Sequence, residues 1–144
     1  MKRILSIFAV AISIAAIVTS CATTDIKLSK KLDGKWSATS IKVDGVEFMP
    51  EFIVAWDMTF TDQGDGMGTV ENISTYKFEF LGQVITETDT AIGTYQTVAD
   101  DNGDKLTLTL DGDVTAGDLS IDGKTMTVTS TEDSVTTVIV AEKQ

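Results

Sequence analysis

From residue 33 onward, hydrophobic and polar side chains alternate with a period of two. Leu106, Leu108 and Leu110 fall on one side of a run, Thr107 and Thr109 on the other. Met126 and Val128 oppose Thr125, Thr127 and Thr129. Tyr76, Phe78 and Phe80 oppose Lys77 and Glu79, and Val54, Trp56, Met58 and Phe60 oppose Ala55, Asp57 and Thr59. Leu119 and Ile121 bracket Ser120. Successive side chains of a strand point to opposite faces, so each run reads as a half-buried strand. Strands are expected at 35–43, 52–61, 67–74, 75–81, 90–98, 105–111, 115–121, 124–131 and 135–142. After residue 33 no window of ten or more residues carries a helical stripe. The 22 threonines supply β-branched side chains suited to the solvated face of a sheet.

Turn chemistry punctuates these runs. Asp-Gly pairs stand at 33–34, 44–45, 65–66, 111–112 and 122–123, and Asn102-Gly103 adds another. Such pairs tolerate positive φ and favour tight hairpins. The late turns, near 102, 112, 122 and 133, recur about every ten residues, the rhythm of a meander. The expected fold is all-β: an antiparallel up-and-down β-barrel of eight or nine strands. Closure would remove its exposed edges. A two-sheet β-sandwich is the alternative.

The first twenty residues follow another pattern. Met1-Lys2-Arg3 is basic, and Ile4 to Val18 is uncharged with only Ser6 and Ser13 as polar breaks. This is the layout of a secretory signal, shorter than the roughly 20 apolar residues of a membrane-spanning helix. Val18-Thr19-Ser20-Cys21 follows. These four residues resemble the lipobox of bacterial lipoproteins. The resemblance implies removal of residues 1–20, a diacylglycerol on the Cys21 thiol and an acyl chain on its new amine. Two or more chains anchor stably where one does not. It also implies a cell-envelope protein held at the membrane, with Ala22 after the cysteine pointing to the outer membrane. Residues 21–32 would be the lipidated cysteine and a short tether that could end in a helical turn. Its Lys27, Lys30 and Lys31 would be either solvated or near headgroups. Residues 33–144 would be the barrel.

Leu32-Asp33-Gly34-Lys35-Trp36 opens the first strand. A Gly-x-Trp there, followed by a meander, resembles the lipocalins and the lipocalin-like domains of bacterial lipoproteins. The resemblance implies that Trp36 packs across the base of the barrel.

Charge and composition then narrow the chemistry. Acidic residues number 22 and basic ones 11, a net charge of -11. Without Lys2 and Arg3 it becomes -13. A phosphate backbone would be repelled, so no nucleic-acid partner is expected. The chain has no histidine, so a Ser-His-Asp triad is excluded, and its lone cysteine can form no internal disulfide. Asp100-Asp101-Asn102-Gly103-Asp104 has the look of half a calcium loop. Lys105, however, stands where such a loop needs glycine, and the segment reads as a turn. No enzyme activity, metal site or cofactor beyond the covalent lipid is expected. The aromatic and methionine set Trp36, Trp56, Met58, Phe60, Tyr76, Phe78, Phe80 and Tyr95 is the candidate core or ligand cavity. A barrel of about eight strands can be filled by side chains or hold one small ligand. Two functions follow. One is a lipid-anchored module binding a small apolar ligand. The other is a filled barrel that binds another envelope protein.

Overall fold

The computed structural model describes residues 24–144. Val18, Thr19, Ser20 and Cys21 lie outside the described residues. The chain is helical over 24–32 (α1). Nine strands follow: β1 (Gly34–Val43), β2 (Val46–Glu47), β3 (Ile53–Gly64), β4 (Met67–Phe80), β5 (Gln83–Val98), β6 (Lys105–Leu110), β7 (Asp113–Asp122), β8 (Thr125–Glu132) and β9 (Val135–Lys143). All pairings are antiparallel, and each long strand pairs with the next. The last strand returns to the first, from Trp36↔Lys143 to Val43↔Thr137. Eight strands therefore close a barrel, and the two-residue β2 rides on the far end of β1. One continuous ladder excludes the sandwich.

Two expected boundaries differ. The strands expected at 67–74 and 75–81 are the single β4, whose register with β5 runs unbroken from Met67↔Gln96 to Phe80↔Gln83. Ser74-Thr75 offers no glycine, proline or other turn chemistry that would break it. The strand expected at 90–98 starts at Gln83. Thr86 to Thr90 are exposed on both faces, so they carry no alternation to betray a strand. The β4–β5 hairpin thus projects past the barrel rim, turning at Leu81-Gly82, both with positive φ.

The expected tether is also different from residue 24 on. Leu28 and Leu32 lie four apart, on one face of α1, and both are buried with Ser29 against one end of the barrel. Asp33 then donates its N–H to the Ser29 carbonyl, and Gly34, at φ 112°, turns the chain into β1. A side chain at Gly34 would also press on Lys143, 3.2 Å from where its Cβ would stand. Lys143 Nζ donates to the Lys31 carbonyl at 3.0 Å, a cation placed at a helix C-terminus. The same nitrogen sits 5.3 Å from the Trp36 ring centre.

Trp36 is fully buried at this plugged end, its Nε1 donating to the Leu32 carbonyl at 2.6 Å. Met58, Phe60, Val70, Leu106 and Met126 pack with it. Phe60 and Tyr95 meet edge to face, 5.2 Å between centres. The Tyr95 hydroxyl shares a hydrogen bond with Ser29 Oγ at 2.9 Å, and Ser29 Oγ donates to Asp62. Burial pushes the Tyr95 phenol up, against the Ser29 hydrogen bond, which lowers it.

At the opposite end, Glu47 pins the β1–β2 corner. Its carboxylate accepts from Ser40 Oγ, from the Ile41 N–H at 2.9 Å and from the Met49 N–H at 3.1 Å. These bonds, the Ser40 hydroxyl first, hold its pKa at about 2. A lowered folded-state pKa stabilises at pH values above the ordinary 4.5, and the benefit drains away as pH falls towards 2. Glu47→Gln is therefore expected to lower the urea midpoint at pH 7, with the gap from wild type shrinking below pH 4.5. A gap that is constant with pH would contradict the role of the ionised carboxylate.

Candidate functional site

The plug fills only half of the barrel. Met58, Leu106, Met126 and Ala141 are buried, one on each of β3, β6, β8 and β9. Two residues further from α1 on the same strands stand Trp56, Leu108, Val128 and Ile139. The period of two puts each pair on the same inner face. Of this second layer only Val128 is buried; the other three are half-buried. They wall a cavity of about 640 Å³ that opens at the end opposite α1. Leu110 and Val135 extend the walls outward. The volume falls within the roughly 300–1,000 Å³ typical of small-molecule sites.

Two polar atoms in the barrel are buried without a hydrogen-bond partner: Trp56 Nε1 and Asn72 Oδ1. Asn72 pairs with Met58 across β3 and β4, just below Trp56 in the inner stack. An orphaned buried donor is costly, on the order of 1–3 kcal/mol. Neither atom has surface open to solvent or to the cavity, so both stand as unmet polar groups within the wall.

The rim of the cavity is acidic. Asp111 comes from the β6–β7 turn and Asp113 from the start of β7. Glu132 and Asp133 come from the end of β8 and the β8–β9 turn. No lysine or arginine lines the cavity.

The structure thus divides the sequence-derived candidates into three groups. Trp36, Met58, Phe60 and Tyr95 are buried at the plugged end, and Trp56 lines the cavity. Tyr76, Phe78 and Phe80 lie in neither place. They continue the inner face of β4 beyond the rim and are 39%, 43% and 60% exposed. Leu81 and Val84 are also exposed on the projecting hairpin, Val84 on the face opposite Phe78, and Phe52 is exposed in the segment before β3. The cavity residues Leu108, Leu110, Val128 and Ile139 were not singled out by the sequence. Their alternation showed a buried face but not how far the plug reaches along it. The rim acids carried a faint signal: carboxylates at the far-end turns of strands whose inner faces are apolar.

Asp100–Gly103 forms a turn in which Asp100 accepts the N–H groups of Asn102 and Gly103. Among the described residues no group of three or more His, Cys, Asp or Glu is gathered to hold a metal ion. No helix among them is long and apolar enough to cross a membrane. No protein-family model matches the chain, and no curated protein matches it. Among solved structures, it is similar to a redesigned β barrel, with 15% identity and a TM-score of 0.49 over 81% of this chain and 94% of that one.

Proposed function

We propose that this protein is a lipid-anchored lipoprotein of the bacterial cell envelope whose barrel holds a small, largely apolar molecule in its open half. The cavity of about 640 Å³ carries the binding half of this reading: Trp56, Leu108, Val128 and Ile139 give it apolar walls, Thr115, Ser130 and Thr137 stand among them, and the buried layer beneath, capped by α1, closes one end. The lipobox residues Val18, Thr19 and Ser20 and the lone Cys21 support the anchor, with diacylglycerol on the thiol and an acyl chain on the amine. Cys21 stands three residues before residue 24, a reach of at most about 11 Å. The anchor would therefore hold the plugged end of the barrel near the membrane. Ala22 favours the outer membrane. No catalysis is assigned to the site.

Titrating the purified protein with N-phenyl-1-naphthylamine, a neutral apolar fluorophore, tests the binding half. One saturable site is expected, and Leu108→Trp, which pushes a larger ring into the cavity, should weaken it by about tenfold, or roughly 1.4 kcal/mol. In the native host, labelled palmitate should mark the wild-type chain but not Cys21→Ser. Label on the Cys21→Ser chain would remove the anchor from the reading. A titration without saturation would remove the ligand. It would leave the second function, docking of another envelope protein, for which the exposed Phe78, Phe80, Leu81 and Val84 supply the observation.

A further inference from the structure

The cavity has an apolar body and a mouth of one charge. Leu108, Val128, Ile139 and Trp56 offer no ionic partner to a bound molecule. The only charged side chains along the lining are carboxylates: Asp111, Asp113, Glu132 and Asp133. Asp111 accepts the Ile92 N–H at 3.4 Å, which ties it to the turn. Asp113, Glu132 and Asp133 have neither a hydrogen bond nor an ion pair from their carboxylates among the described residues. Carboxylates whose charge is not met by the fold are free to meet a ligand's charge. They are also not gathered as a metal site would require. Charges spread around a low-dielectric opening focus a field along it, and that field suits a diffuse organic cation better than a compact metal ion.

We propose that the mouth selects a cationic amphiphile. Its hydrocarbon part would lie against Trp56 and Leu108, and its protonated or quaternary amine would sit among Asp113, Glu132 and Asp133. This inference rests on the ligand-binding reading above and specifies its ligand class. A fatty acid would place a carboxylate against these groups, and like charges at close range disfavour binding. The acidity of the whole chain acts in the same direction, because its net charge of -11 draws cations and repels anions.

The test uses three ligands of one chain length: decyltrimethylammonium, decanol and decanoate. Each displaces N-phenyl-1-naphthylamine from the purified protein at concentrations below micelle formation. The cation is expected to bind at least about tenfold more tightly than decanoate, with decanol between them. Raising salt from ~0.05 M to ~0.5 M should narrow the gap, because exposed charges are screened over shorter distances. The double variant Asp113→Asn, Glu132→Gln should bring the cation-to-anion ratio to within about threefold of one. Circular dichroism of that variant shows whether the barrel is intact. If it is not, the salt series on the wild type decides alone. Equal binding of cation and anion, or tighter binding of decanoate, overturns the selectivity while leaving the apolar site standing. Failure of all three ligands and of the fluorophore overturns both.

Discussion

Gly93→Ala is expected to destabilise the protein by more than about 3 kcal/mol, the upper end of overpacking costs, and to lower its melting temperature by about 10 °C or more. A Cβ at Gly93 would stand 1.7 Å from the Thr109 carbonyl oxygen, 2.7 Å from its carbon and 3.1 Å from the Leu110 Cα. All three are backbone atoms of β6, so no change of rotamer relieves the clash. The strands would have to part where Gly93 pairs with Leu110 and Thr94 with Thr109. Glycine within a strand often marks a sharp bend or a close backbone approach, and here it lets β5 press onto β6 as the sheet curls. Gly68 and Gly117 repeat the device: a Cβ on Gly68 would stand 2.1 Å from the Thr61 oxygen, and one on Gly117 2.6 Å from the Thr129 oxygen. The exposed neighbour Thr94→Ala is the control and should stay within about 0.5 kcal/mol of wild type. Thermal melts followed by circular dichroism measure both. A Gly93→Ala protein that melts with the wild type would refute the close approach.

Trp36→Ala should cost about 3–5 kcal/mol, the usual range for deleting a buried aromatic side chain. That is a large part of the roughly 5–15 kcal/mol by which domains of this size are stable. The substitution empties the centre of the plugged end, where the indole is fully buried. It also removes the N–H that holds the Leu32 carbonyl and the ring beneath Lys143. Helix α1 should therefore loosen before the barrel opens. Trypsin should cut faster after Lys27, Lys30 and Lys31 in Trp36→Ala than in wild type, at urea concentrations where the strands persist. Trp36→Phe keeps most of the packing and loses the donor, so about 1 kcal/mol is expected. Equal urea midpoints for Trp36→Ala and wild type would show that Trp36 does not hold the plug.

The legible parts of the fold are the strands with a core on one side and water on the other. Leu106 with Thr107, and Met126 with Thr127, announce both the strand and its inner face. The first half of β5 did not, because Thr86 to Thr90 meet solvent on both sides. Helix α1 was legible only as a helical turn at the end of the tether. Its buried face is only Leu28, Ser29 and Leu32, too little to make a periodic stripe against a lysine-rich background. Tyr76, Phe78 and Phe80 show the converse limit. Alternation says that two faces differ, not that a body lies against the apolar one. The cavity was hidden for the same reason. Leu106 and Leu108 are equivalent in sequence, yet one is buried under the plug and the other is half-exposed above it. That difference is set by how deep α1, Trp36 and Tyr95 reach, a matter of contacts between residues as far apart as Ser29 and Tyr95, 66 positions, and Lys31 and Lys143, 112 positions.

Because α1 stoppers one end, the barrel has a single door. A ligand that entered tail first, as proposed, would leave head first by the same path. For a ligand bound as proposed, exchange would be sequential: a newcomer would wait for the vacancy, and the lifetime of the occupant would set the pace. The door also faces away from the end at which residue 24 joins the fold. A barrel held to a surface through that end would present its opening outward, placed to receive cargo from, or surrender it to, whatever stands across the gap.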